Sequence, residues 1–174
     1  MGRLRKWDLL AVLAAASCTA AAAYLTEQEV MATSRRLRDE CMETVQALRL
    51  QISEYRLDHV GDFPESLDEL GLGPDALRCP YRAHQVSRGY VPASSDPDYI
   101  FFAAGWKKDE IADPARLPAL FDRPGNHADG SRTVLFADGA VERISEAELE
   151  GLLGEVQGGA PEGPTAPSGT TEAE

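Results

Sequence analysis

The chain has 174 residues, a formal net charge of −12 and a sequence pI of about 4.7. That length suffices for one modest domain with appendages. The acidity argues against nucleic acid, because neutralising phosphates takes clustered Lys and Arg and the only short basic run is Arg35, Arg36 and Arg38. Cys18, Cys41 and Cys79 form no Cys-x-x-Cys pair, which speaks against a zinc knuckle or thioredoxin motif, and an aromatic content of 7% predicts a small core.

The chain opens with Arg3, Arg5 and Lys6, followed by an apolar run from Leu9 to Leu25. As a helix that run spans roughly 25 Å, a little short of a hydrocarbon core of about 30 Å, and nearly half of it is alanine. The sequence favours a retained single-pass anchor over residues 1–25, with its basic N-terminus in the cytoplasm. Two alternatives stay open: a cleaved signal peptide, for which Ala20 to Ala23 offer small-residue sites, and a lipoprotein signal acylating Cys18. All three carry the remainder across the membrane.

From Thr26 to about Val60 the spacing predicts an amphipathic helix. Val30, Leu37, Cys41, Val45, Leu48, Ile52 and Tyr55 recur three, four and seven apart, and Arg36, Glu40, Glu43, Arg49 and Glu54 take the other face. Joined to the anchor it gives one helix from near Trp7 to His59, on the order of 80 Å long. Thr26 with Glu29 fits a capping box, a local signal for a break. Gly61 ends the helix, and Pro64, Ser66 and Glu69 predict a short capped helix ending at Gly71. The polar face excludes a second span, so the apolar stripe needs a cover from the C-terminal half.

That half reads as strands. Residues 98–105 (DYIFFAAG), 117–122 (LPALFD) and 133–137 (TVLFA) are candidates, with an edge strand at Tyr90–Val91 inside the loop-like segment 83–97. Asp138-Gly139 is a two-residue hairpin signal with positive φ wanted at both positions, and Val141 to Ile144 continue beyond it. Ser145 is placed to cap a short helix. Residues 154–174, rich in Gly, Pro, Thr and Glu, read as a disordered acidic tail. The expected class is α+β: a long N-terminal helix, transmembrane then amphipathic, packed on a small antiparallel sheet, with residues 26–153 forming the domain outside the membrane.

The order of a basic start, an apolar helix running on as an amphipathic one, and ISEYRLDHVGDFPESLDEL resembles type IV pilin-like proteins, above all the major pseudopilin of type II secretion systems. LRCPYR, FDRPGNH and VLFADGAVERI resemble the prepilin-type processing-associated branch, named for a His, nine residues and Asp-Gly. Here Asp8 stands where that family has Glu, ten residues separate His127 from Asp138, and Ala140 replaces a second His. The resemblance implies a pilin-like fold and a pairing of Asp8 with a neighbouring subunit's terminal amine. The alternative for Asp8 is the headgroup layer beside Lys6.

His127 invites a catalytic reading, but neither Ser131 nor Ser145 sits in a nucleophile elbow. Asp138 and Gly139 are accounted for by the hairpin, and His127 by ordering the loop before it. The resemblance also implies a calcium loop, for which Asp122, Asn126 and Asp129 could supply oxygens; the alternative is a solvated turn. Outside the inner membrane Cys41 and Cys79 are expected to pair as a disulfide, closing a loop of about 40 residues and stabilising by roughly 3–4 kcal/mol. The alternative is two separately buried thiols.

These observations lead to an expected function: a non-enzymatic subunit with no catalytic residues and, calcium apart, no cofactor. It would be anchored in the inner membrane with a periplasmic head, and partner other pilin-like subunits or copies of itself. No nucleic acid or small-molecule substrate is implied. The alternative is a periplasmic or lipid-anchored binding module that has the fold but does not assemble.

Overall fold

Between Gly2 and Gly61 the sequence contains neither Pro nor Gly. In the computed structural model, which describes residues 6–127 and 129–159, this stretch is one helix, α1 (Lys6–Asp58), of 53 residues and about 80 Å. The break anticipated at Thr26 does not occur. A capping box acts only where the preceding residues leave helical geometry, and Ala20 to Ala23 are the strongest helix formers available. Among the described residues no helix is long and apolar enough to cross a membrane. Arg3, Arg5 and residues 160–174 of the anticipated tail lie outside the described residues, as do the side chains of Asp8 and Cys18.

Helix α1 stops where two residues in succession enter the left-handed region, Val60 at φ 60° and Gly61 at φ 96°. The Gly61 amide donates to the Arg56 carbonyl at 2.7 Å, the six-residue closure typical of helix ends. Arg56 reaches past this turn. Its Nε donates to the Gly61 carbonyl (2.9 Å) and one terminal nitrogen to the Ala137 carbonyl (2.6 Å), while the guanidinium lies 4.1 Å above the Phe63 ring. One cation thus ties the helix end to the β-hairpin.

The chain then makes a single 3-10 turn, Leu67–Leu70, ended by Gly71 at φ 65°. The expected capping box is absent: the Ser66 side chain makes no cap bond, and the Glu69 carboxylate accepts from the Tyr55 hydroxyl (2.8 Å) instead. A second helix, α2 (Pro80–Ser87), takes the place of the start of the anticipated loop, residues 83–87, and Tyr90 is 77% exposed with no strand around it. Pro80 is the reason. Its fixed φ and missing N–H suit the first helical turn.

Four antiparallel strands follow in the order β1-β2-β3-β4: β1 (Tyr99–Phe101), β2 (Pro118–Asp122), β3 (Ser131–Phe136) and β4 (Val141–Ser145). The β3–β4 turn does hold Asp138-Gly139, but only Gly139 has positive φ. The Gly139 amide donates to the Phe136 carbonyl (2.9 Å) and the Ala140 amide to the Asp138 carboxylate (2.8 Å). This is the longer hairpin form with a glycine bulge, not the two-residue one. Ser145 caps α3 (Glu146–Gly159) through the Glu148 amide at 3.2 Å, and α3 runs past Leu153 into the start of the anticipated tail.

Alternation along the strands splits the core in two. Leu37, Cys41, Val45, Leu48 and Ile52 of α1 are buried, and from Cys41 to Ile52 they pack with Leu120, Leu135 and Ala137 on one face of the sheet. Phe121, Val134, Phe136 and Ile144 point to the other face and meet Leu149 of α3. The sheet is therefore sandwiched between α1 and α3. A register shift between Pro118 and Leu120 lets Ala119 and Leu120 both join the α1 side. Arg132, only 3% exposed, donates to both carboxylate oxygens of Glu146 and to the Asp122 carbonyl, joining α3 to β2 and β3.

Val60 is β-branched, left-handed and 86% exposed, so it carries strain without packing. Val60→Gly is expected to raise unfolding stability by about 0.5–1 kcal/mol, the relief of strain being partly offset by unfolded-state entropy; urea titration measures it. The Arg132 hydrogen bonds hold the Glu146 carboxyl below the usual carboxylate range. A depressed folded value means stability that is present above the unfolded glutamate value of about 4.3 and is lost as pH falls through the folded one. Glu146→Gln is expected to flatten that acid limb in unfolding curves recorded from pH 7 to pH 3.

Candidate functional site

Four side chains that can bind metal or carry a proton converge inside the head, and each comes from a different piece of chain. Cys41 is on the buried stripe of α1, two turns before Leu48. Cys79 immediately precedes Pro80 and caps α2. Asp122 is the last residue of β2, and His127 lies in the β2–β3 loop. Their ligand atoms all lie within 4.8 Å of one another. Cys41, Cys79 and Asp122 are 0% exposed and His127 is 4% exposed.

The contacts within the cluster are close. Cys41 and Cys79 are free thiols whose Sγ atoms stand 3.4 Å apart, so the expected partners are neighbours without a bond between them. Cys41 Sγ is 3.5 Å from Asp122 Oδ1, and His127 Nε2 is 2.9 Å from Asp122 Oδ2. Asp122 Oδ2 also accepts the Thr133 amide at 2.8 Å. Two hydroxyls approach Cys41 Sγ: Tyr99 Oη at 3.7 Å and Thr133 Oγ1 at 3.9 Å. The register delivers Tyr99, since it pairs directly with Asp122 across β1 and β2. The Tyr81 ring packs on the imidazole with centroids 5.2 Å apart. His127 Nδ1 is buried with no hydrogen-bond partner among the described residues.

The electrostatics follow from burial and proximity. Burial alone would lower the His127 imidazole, but hydrogen bonds from Asp122 and Cys41 and the Asp122 charge outweigh it and raise it to about 9. The Cys41 thiol is pushed well above its ordinary value, by its hydrogen bond with Cys79 and by desolvation. Desolvation first, and the neighbouring thiols and carboxylate after it, raise the Tyr99 phenol too. Cys41 beside an imidazole and a carboxylate has the residue types of a nucleophilic triad. A nucleophile needs a thiolate and an access path, and Cys41 has neither.

The other candidate residues are drawn to different partners. Asn126 is fully buried and donates through Nδ2 to the Asp98 carbonyl at 2.7 Å. Asp129 binds the Arg38 guanidinium and the Ser131 hydroxyl and amide. Asp122 turns inward to the cysteines. Asp122 and Asp129 of the anticipated calcium loop thus engage different partners, while Asn126 Oδ1 is buried with no hydrogen-bond partner among the described residues. Ser131 and Ser145 are engaged by Asp129 and by the α3 cap, and His127 is part of the cluster, not of the β3–β4 hairpin.

Sequence reasoning missed Asp98, which supports the cluster from behind. It is 3% exposed, its Oδ2 accepts the Cys79 amide at 2.9 Å, and Oδ1 pairs with Arg82 at 3.2 Å. Its own carbonyl accepts the Arg123 amide (2.9 Å) as well as Asn126. A single aspartate thereby fixes both the Cys79 segment and the loop that carries His127. No local signal marks it, because Asp98 reads as an ordinary residue at the start of a strand.

No known family matches this chain, and no curated protein or solved structure does either. The chemistry of the cluster is therefore read from its own geometry: two soft sulfurs, an imidazole and a carboxylate, dry and preassembled. Asp98→Asn keeps the shape but weakens the acceptor and removes the partner of Arg82. Unfolding stability is expected to fall by about 1–3 kcal/mol in urea titration. A loss below about 0.5 kcal/mol, the level of an ordinary surface change, would remove Asp98 from this role.

Proposed function

We propose that this chain is a non-enzymatic, membrane-anchored, pilin-like subunit of a type II secretion or type IV pilus-like assembly. The observation that carries the reading is the division of labour along α1. From Leu37 to Ile52 one face of the helix is buried by the head. Helix α1 continues on the N-terminal side of Leu37, and there, among the described residues, the apolar side chains Tyr24 (61%), Leu25 (62%), Val30 (64%) and Met31 (45%) are exposed. A helix of this length does not persist in water on propensity alone without packing. An apolar stripe that outruns its own domain calls for lipid or other helices.

The arrangement supports the reading in two further ways. The four-stranded antiparallel sheet lies against the C-terminal half of the helix, which leaves the N-terminal half free to bundle. Both thiols clustered with His127 are sealed from solvent, and a mechanical role is the simplest use of the head. In this reading Leu9 to Leu25 hold the chain in the inner membrane and the head stands in the periplasm.

A photo-crosslinking residue in place of Val30 in the full chain, expressed in its own membrane, tests the reading. Adducts with a second copy or with another long-helix subunit are expected, together with extraction only by detergent. A chain that carbonate releases from the membrane, with no adduct at position 30, would instead be a binding module that does not assemble.

A further inference from the structure

We propose that Cys41, Cys79, Asp122 and His127 form a closed, four-ligand site for a divalent transition metal, zinc by preference, that fastens α1 to the sheet. This goes beyond the assembly reading and holds whether or not α1 bundles.

The donor set selects the ion. Two sulfurs and an imidazole suit zinc and neighbouring transition metals, whereas calcium and magnesium demand oxygen. A tetrahedral zinc with bonds of about 2.3 Å to sulfur and about 2.0–2.1 Å to nitrogen or oxygen places its ligand atoms roughly 3.3–3.8 Å apart. Here the sulfurs are 3.4 Å apart and Cys41 Sγ is 3.5 Å from Asp122 Oδ1. All four donors fall within 4.8 Å of one another, so small rotations of side chains suffice. Burial of every ligand leaves no path for a water or substrate, which makes the site structural and not catalytic.

The surroundings fit the same reading. Metal sites are tuned by groups that hydrogen-bond to the ligands. The Tyr99 and Thr133 hydroxyls face Cys41 Sγ, the Thr133 amide donates to Asp122, and Asp98 holds the backbone of Cys79. A cluster kept only for its hydrogen bonds should satisfy each polar atom. This one buries two thiols, weak donors, against a carboxylate, with the imidazole turned toward them through Nε2. A disulfide would use two of the four groups and give the carboxylate and imidazole no reason to converge on sulfur.

Ligation is chemically simple. Both thiols and the imidazolium lose a proton to solvent, so that two thiolates and a neutral imidazole bind beside the carboxylate; no oxidant or reductant is involved. The four ligands come from α1, the start of α2, the end of β2 and the loop after it. One ion would therefore join α1 to the start of α2, the end of β2 and the loop after it, and its binding free energy would add to folding. Bound thiolates would also be shielded from oxidation in an oxidising space.

The test uses the full chain carrying Cys18→Ser, reduced, incubated with zinc sulfate and desalted. About one zinc per chain is expected, with Cys41 and Cys79 alkylated only after a chelator is added and the chelated protein melting lower. Cobalt in place of zinc should give thiolate-to-metal charge-transfer absorption and the visible bands of a tetrahedral ion. Tyr99→Phe removes only the hydroxyl that faces Cys41 and should weaken cobalt affinity by at least about tenfold with the circular dichroism unchanged. Asp122→Asn should weaken it further. Metal content well short of one equivalent in reduced protein, cobalt bound without thiolate bands, or a Cys41–Cys79 disulfide that forms in air despite bound zinc would each overturn the site.

Discussion

The stripe from Leu37 to Ile52 on α1 has to lie on the face of the sheet that Leu120, Leu135 and Ala137 present. A helix this long has no reason to stay straight and single in water unless its apolar face is covered. The head supplies that cover for five residues of the stripe, and the rest of the molecule is arranged around the contact. Arg56 secures its far end by reaching from the helix terminus to the hairpin. The sheet's other face is left apolar, and α3 closes it with Leu149.

The same contact brings Cys41 to the sheet, and the polar groups that meet it there are an unusual choice for a small core. Asp122 and His127 form a buried pair, and pairs of this kind lose more in desolvation than they gain unless further bonds satisfy them. Thr133 and Asp98 provide such bonds at the rim, yet one imidazole nitrogen goes without. Hydrophobic residues of similar volume would fill the space at lower cost. Four groups able to ligate a metal meet at the junction of α1 and the sheet, and in the proposed site one ion would engage all four.

Strain and fixation sit at opposite ends of the covered helix segment. At its C-terminal end Val60 is held in a left-handed conformation next to Gly61, where a second glycine would be easier. At its other end Arg38 is bound to Asp129. Between them the segment is closed by apolar contacts, by the cluster and by the hydrogen bonds of Tyr55 to Glu69 and Arg56 to Ala137. The exposed apolar residues begin just N-terminal to this fixed region, so the head is rigidly attached where the helix leaves it. That geometry suits a subunit whose helix does its work elsewhere.

The sequence by itself determined the elements whose signals are local. The absence of Pro and Gly before Gly61, the spacing of Leu37, Cys41, Val45, Leu48 and Ile52, and the strand at Thr133 to Phe136 with its Asp138-Gly139 turn were all legible, as was the cap at Ser145. Side-chain periodicity is fixed by backbone geometry, so these patterns need no tertiary knowledge. Capping boxes at Thr26 and Ser66 misled, because a helix that continues, or a turn too short to hold one, leaves the cap nothing to do. What only the tertiary structure decided is which distant residues share a site. Cys41, Cys79 and Asp122 are separated by dozens of residues and meet because α1 crosses the sheet where β2 ends; Asp98 and Tyr99 join them through strand register. Convergence of that kind is set by packing and pairing between elements, and no short window of sequence carries it.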